Sequence, residues 1–149
     1  MLGDLKKSQI EHLLYSQVIG RVGCHADNMT YIVPITYAYD GNYVYGHTKE
    51  GMKINMMRKN PNVCFEVDVI ENMSNWRSVI AWGKFEELKT LEERKMGMQK
   101  LMDHISPIIT GETTIQHAMT DSHGKYIETL QGVVYRIKLI EKTGRYEKR

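Results

Sequence analysis

The nine residues Tyr45-Gly46-His47-Thr48-Lys49-Glu50-Gly51-Met52-Lys53 hold the most chemically loaded spacing of the chain. They read as the end of a strand, a short polar loop and the start of a helix, with a lysine in the first helical turn. That turn carries unpaired N–H groups and the positive end of the helix dipole, so it favours acids. A lysine that simply bends into solvent there costs about 0.3–1 kcal/mol. A bound phosphate would instead satisfy the N–H groups, the ammonium of Lys53 and the hydroxyl of Thr48 together. On this segment alone both readings stand.

Three further groups of residues carry possible chemistry. Val33-Pro34-Ile35 puts a proline inside a strand, which requires an edge, a bulge or a ligand at that point because proline cannot donate to a ladder. Tyr43, Tyr45 and His47 share a face at strand spacing, so they either line an aromatic ligand or form a half-buried wall ending in a hydrogen-bonded histidine. Trp76-Arg77-Ser78 opens a long strand after a polar loop. There the indole can stack on a ring and the guanidinium can pair with a phosphate, or the two are a core tryptophan and a solvated arginine. Met52, Met56 and Met57 read as helix packing. No Ser/His/Asp arrangement is legible. The six histidines form no metal-binding spacing.

The elements that must position these residues follow from periodicity and punctuation. Ser8 with Glu11 forms a capping-box pattern for a helix to Ser16. Val18 to His25, Tyr31 to Tyr39 and Tyr43 to His47 read as strands separated by Asp27-Asn28 and Asp40-Gly41-Asn42. A helix from Gly51 must end at Asn60-Pro61. Val63 to Val69 alternates as a strand, and Trp76 to Leu88 is a longer one with Gly83 as a bulge or close-approach point. Thr90 caps a helix running to Ser106. Ile109 to Tyr126, with His117 and His123, lacks a period and reads as a loop. Gly132 to Ile140 closes the sheet. Strands contiguous except where helices interrupt them indicate an α+β, mostly β domain: a small antiparallel barrel decorated with helices.

At 149 residues the chain is one domain, 1–149. A site for a large ligand is easier to build between two copies of so small a domain. The net charge of +2, with acids and bases interspersed, argues against nucleic-acid or membrane-surface binding, although the tail from Lys138 to Arg149 is basic. No apolar run approaches the roughly 20 residues of a membrane span. Cys24 and Cys64 read as reduced thiols, so a cytoplasmic protein is expected.

Taken in order, Tyr31-Ile32-Val33-Pro34, Tyr45-Gly46-His47-Thr48, Gly51-Met52-Lys53, Arg58-Lys59-Asn60-Pro61-Asn62-Val63-Cys64-Phe65-Glu66-Val67-Asp68 and Trp76-Arg77-Ser78-Val79 form a linked pattern. It resembles the flavin-binding split-barrel group related to pyridoxamine 5′-phosphate oxidase, in particular its branch of 5-nitroimidazole-resistance proteins. The resemblance covers about residues 5–90. It implies a six-stranded antiparallel split barrel of Greek-key type with flanking helices, and a homodimer holding FMN, or FAD, at its interface. It further implies that Val33, Pro34 and Ile35 meet the isoalloxazine through backbone groups. Tyr45, His47, Thr48, Gly51 and Lys53 would line the ribityl chain and phosphate, with Trp76, Arg77 and Ser78 closing the site. His47 is the position associated with redox chemistry, and the implied reaction is reduction of a small nitroaromatic. Lys53 and Arg77 suffice for one flavin phosphate, and no basic set for a second phosphate is legible, which argues against oxidation of a B6 phosphate. A flavin carrier, sensor or redox partner without turnover needs the same residues. Haem or deazaflavin binding on the same barrel is a further alternative.

Overall fold

The computed structural model describes residues 1–107 and 131–149, so the segment read as a loop from Ile109 to Tyr126 lies outside the described residues. The elements in chain order are β1 (Leu2–Asp4), α1 (Lys7–Ser16), β2 (Ile19–Ala26), β3 (Met29–Thr36), β4 (Ala38–Tyr39), β5 (Tyr43–Thr48), α2 (Met52–Lys59), β6 (Asn62–Asn72), β7 (Asn75–Leu88), α3 (Leu91–Ile105) and β8 (Val133–Glu147). Every described pairing is antiparallel, and the sheet runs β3-β2-β6-β7-β8-β5-β4 with β1 on β8. β3 and β4 are the two ends of that path, yet only Tyr37 separates them in the chain. One bent segment therefore joins both ends of the sheet, which makes a barrel of six walls.

Tyr37 fixes the bend. It is fully buried, its N–H donates to Val18 O at 2.9 Å, and its hydroxyl donates to Leu14 O at 2.7 Å. Its ring meets Phe65 edge-on with centroids 4.8 Å apart. Phe65, Val22, Val44, Val67, Val79 and Ile137 fill the barrel around it. A second core, with Tyr45, Leu88, Met98, Leu101 and Val134, lies under α3.

Local chemistry explains most boundaries. Asp27 and Asn28 both take positive φ, 53° and 61°, as a two-residue hairpin of this hand requires. Asp40 accepts from the N–H groups of Asn42 and Tyr43, and Gly41 turns at φ 101°. Thr90 accepts from the Glu93 N–H at 3.1 Å and starts α3. Gly83 is both things the sequence suggested. The β7–β8 register shifts beside it, and a Cβ there would strike the Lys138 carbonyl.

Three expectations are corrected. α1 begins one residue earlier than Ser8, and its reciprocal cap is the Lys6 N–H donating to Gln9 Oε1 at 2.8 Å, so Ser8 and Glu11 do not form the box. The strand expected to stop at Ile140 continues to Glu147, because a bulge there breaks the alternation without ending the ladder. The basic tail is thus a barrel wall, paired to β7 and β1. β1 and the bend at Tyr37 were also illegible, giving eight strands by pairing where six were expected.

Packing is also tight at Gly46, opposite Tyr135, whose buried ring occupies the space a Cβ would need. Gly46→Ala is expected to destabilise the domain by about 1–3 kcal/mol through overpacking. A urea midpoint equal to that of the unsubstituted protein would show that Tyr135 can move aside.

Candidate functional site

The barrel is not closed along its whole height. β4 pairs with β5 at Ala38↔Tyr45 and Tyr39↔Val44. Continued through Tyr37, that offset would set Thr36 opposite His47 and Pro34 opposite Lys49. Among the described residues no such pairs form: β3 ladders with β2 alone and the end of β5 with β8 alone. Two strand edges therefore diverge from the bend at Tyr37 into a wedge. One edge is the backbone of Val33, Pro34 and Ile35, and the other that of Gly46, His47 and Thr48. Unpaired edge groups are ordinarily a liability, and a proline on β3 is compatible with such an edge.

α2 starts at the mouth of this wedge, with three residues between it and the end of β5. Its N-cap is Gly51, which offers no side-chain oxygen, and its first turn contains no acid. The leading N–H groups therefore keep no side-chain partner. Lys53 is half-buried in that turn and near Cys24 of β2. It makes no ion pair among the described residues, whereas Arg58 is held by Glu50 and Glu87 and Lys59 by Asp27. Burial holds the Lys53 ammonium below the ordinary lysine range, against a smaller opposing effect of Cys24. The Cys24 thiol is pushed up by burial and by Cys64, with Lys53 working the other way. A cation that has lost water and gained no counter-charge is an anion-ready group.

The sequence-derived residues distribute unevenly over this geometry. Val33 is half-buried, Pro34 exposed and Ile35 buried, and all three lie on the open edge of β3. Half-buried His47 and Thr48 sit on the opposing edge, and Gly51 and Lys53 at the mouth. His47 Nε2 lies 2.8 Å from Gln131 O. Tyr45 does not belong to the wedge. It is 2% exposed, its hydroxyl donates to Asp40 Oδ2 at 3.1 Å, and the Lys100 ammonium lies 5.0 Å from its ring centroid. Tyr43 is likewise covered, with the Arg136 guanidinium 4.1 Å from its ring centroid. The aromatic face read as a ligand wall is the floor under α3, so Tyr45 is corrected to a packing role.

Trp76, Arg77 and Ser78 lie elsewhere in the chain. The β-ladders carry Pro34 through Arg21 and Glu66 to Ile80, and Trp76 is four residues beyond Ile80. Trp76 and Arg77 border a separate cleft of about 440 Å³, together with Leu5, Gln9 and Tyr146. A single chain does not bring them to Lys53. Glu66, pushed up to about 7 by burial and by Asp68 despite Arg21 at 3.2 Å, sits on the barrel wall between the two places.

Sequence reasoning missed Cys24 as the neighbour of Lys53 and Gln131-Gly132 as the neighbours of His47. The first needed the β2 register. The second had a faint signal, a glycine placed just before a strand.

The chain belongs to the pyridoxamine 5′-phosphate oxidase family, whose model matches residues 6–146. Among solved structures, it is similar to an FAD-binding protein from Mesorhizobium loti, with 26% identity, 99% of each chain covered and a TM-score of 0.76. It is also similar to a candidate 5-nitroimidazole antibiotic resistance protein from Bacteroides thetaiotaomicron, with 20% identity, 98% and 87% covered and a TM-score of 0.75. An uncharacterized protein of Rhizobium meliloti is 33% identical over 84 residues, and the matched segment spans 56% of each chain. At 20% identity the Bacteroides likeness speaks for the fold alone.

The uncompensated charge of Lys53 has a pH signature. A lysine with a lowered pKa releases its proton from the folded state before the unfolded chain does, so ligand-free stability rises with pH just below the ordinary value of 10.5. Lys53→Met should lack that rise when the two proteins are unfolded in urea at pH 8 and pH 10. Parallel curves would mean that the ammonium is solvated.

Proposed function

We propose that this chain binds a flavin, FMN with FAD as the alternative, in the wedge between β3 and β5, and that it works as a homodimeric oxidoreductase on a small aromatic such as a 5-nitroimidazole. The observation that carries the reading is Lys53: a half-buried ammonium near Cys24 with no ion pair among the described residues, at an uncapped helix start that follows the end of β5. Family membership supports it, as does the description of the Mesorhizobium loti relative as FAD-binding.

The residues fit such a group in two places. The N–H groups of α2, the Lys53 ammonium and the Thr48 hydroxyl form a set that accepts one phosphate. The open edge of Val33, Pro34 and Ile35 offers backbone groups to the polar rim of a flat heterocycle. A bound flavin supplies the electron chemistry, and the protein supplies position and electrostatics. The backbone edges of Val33, Pro34 and Ile35 and of Gly46, His47 and Thr48 would hold the ring of such a group. His47 is the proton-handling group beside it. With one compensated phosphate set, a B6 phosphate is a poorer substrate than an uncharged aromatic.

Trp76, Arg77 and Ser78 enter the site in this proposal from a second copy. A groove of about 430 Å³ on the outer face of the sheet supports such pairing. It is bordered by Ile32, Gly23, Cys64, Trp82 and Ile140, and Ile32, Trp82 and Ile140 are each more than two-fifths exposed. Apolar groups of that size cost free energy in water and are characteristic of contact surfaces. Trp82→Glu should convert the dimer to monomers in sedimentation velocity and weaken flavin uptake with it. A dimer that survives this substitution places the contact elsewhere.

Flavin binding is read directly from the visible spectrum of the purified protein and from the chromophore released on denaturation. Lys53→Ala should weaken FMN binding by about 1.5–3 kcal/mol, the value of a charge-assisted hydrogen bond. Unaltered affinity would move the phosphate. At saturating FMN, His47→Ala should still carry flavin but lose reoxidation by a nitroaromatic. Unchanged turnover with flavin bound removes His47 from the chemistry, and slow reoxidation by oxygen alone in the unsubstituted protein favours a carrier or sensor.

A further inference from the structure

His47 and the start of β8 hold one another in a way that decides which hydrogen bonds the imidazole can make. Gln131 O is 2.8 Å from His47 Nε2. A carbonyl oxygen only accepts, so Nε2 must carry a hydrogen in either charge state of the ring. In the neutral imidazole the other nitrogen, Nδ1, is then a lone-pair acceptor, and it has no hydrogen-bond partner among the described residues.

The carbonyl is held there by Gly132. That residue takes φ +87°, a Cβ on it would lie 2.5 Å from Thr48 O and 3.2 Å from His47 Nε2, and its own carbonyl accepts from Arg94 Nη2 at 3.2 Å. Both the backbone conformation and the approach exclude a side chain. The β5–β8 ladder begins directly beyond, at Thr48↔Val133. α3, β5 and β8 are thus tied at one glycine, and the peptide before it caps His47.

We propose that Gly132 is a positioning residue: by holding the Gln131 carbonyl on His47 Nε2, it fixes the neutral imidazole as the Nε2–H tautomer, so that His47 meets its ligand through the Nδ1 lone pair and selects a hydrogen-bond donor there. The ligand class is a hydroxyl or N–H group, such as a hydroxyl of a polyol chain, and an unprotonated phosphate or nitro oxygen is disfavoured at that nitrogen. Donation from Nδ1 requires the imidazolium. This deepens the flavin reading and rests on it for the identity of the ligand, while the tautomer does not depend on it.

The test is the imidazole ¹⁵N spectrum of the ligand-free protein, with His47 assigned by its absence in His47→Gln. The neutral ring is expected to show a protonated Nε2 and a bare Nδ1. Gly132→Ala should shift the signals toward a mixture of tautomers, and His47→Gln, which keeps a donor for Gln131 O and carries its acceptor Oε1 on the same carbon as that donor rather than at the Nδ1 position, should lose about tenfold in FMN affinity. An Nδ1–H ring in the unsubstituted protein, or His47→Gln binding FMN undiminished, overturns the proposal. If Gly132→Ala does not fold, those two measurements still decide it. A protein that takes up no flavin refutes the cofactor reading, and the spectrum still decides the tautomer.

Discussion

The structure depends on the bend at Tyr37. One continuous segment pairs with β2 before that residue and with β5 after it, so the tyrosine carries the closure of the barrel. Its hydroxyl and N–H reach Leu14 and Val18, which ties the closure to the end of α1 and the entry to β2, and its ring locks onto Phe65 at the barrel centre. Closing a sheet at a single residue has a geometric consequence. On one side of the bend the strands are laddered, and on the other they diverge. The wedge is the unavoidable remainder of that closure, and its two edges carry the backbone groups that ligand recognition would use. Sheet edges exposed in this manner are costly unless something occupies them, so architecture and binding are the same constraint viewed from two sides.

The electrostatics follow the same division. Several cations have found carboxylates: Arg58 with Glu50 and Glu87, Arg136 with Glu86, Lys100 with Asp40, Lys142 with Glu11. Such pairs contribute little individually when exposed. Against that background Lys53 stands out, because it has been drawn out of water at the mouth of the wedge without a counter-charge. Placing it on the first turn of a helix with an uncapped glycine start adds a second unfavourable choice at the same point. α1 also opens on lysines without an acid in its first turn, but Lys6 and Lys7 are exposed, so it is at Lys53 that an uncapped start and a partly buried ammonium coincide.

How much of this was legible in the sequence differs from element to element. The Asx turns, the Thr90 cap and the helix stop at Pro61 were readable because each rests on interactions within four residues. The lack of an acid or a side-chain cap around Lys53 was readable for the same reason. The fate of Tyr45 was not. Strand spacing correctly put Tyr43, Tyr45 and His47 on one face, but which body covers that face is decided by α3, more than forty residues later. Similarly, Trp76-Arg77-Ser78 was recognisable as a motif, whereas its distance from Lys53 within one chain appears only when four strands are set in register. The pairing of β1 with β8 joins the two ends of the described chain, and three residues give no periodicity to detect.

The bulge in β8 illustrates a different kind of dependence. Trp82 pairs with Glu141 and Gly83 with Leu139, so Ile140 is the extra residue, and it points out at 64% exposure. Before it the odd-numbered side chains Tyr135, Ile137 and Leu139 face the barrel. After it the even-numbered Lys142 reaches Glu11 and Tyr39, and Gly144 lies against Ile10 and Leu5. Ile140 is therefore a phase shift written into the chain. Deleting it would leave every later residue opposite the same β7 partner and restore plain alternation, with Leu139, Lys142 and Gly144 still inside and Glu141 outside, so what would be lost is the local bend of the wall. A residue inserted into the ladder beyond the bulge would do the opposite, exchanging inside for outside along the rest of the strand and presenting Thr143 and Arg145 to α1 in place of Lys142 and Gly144.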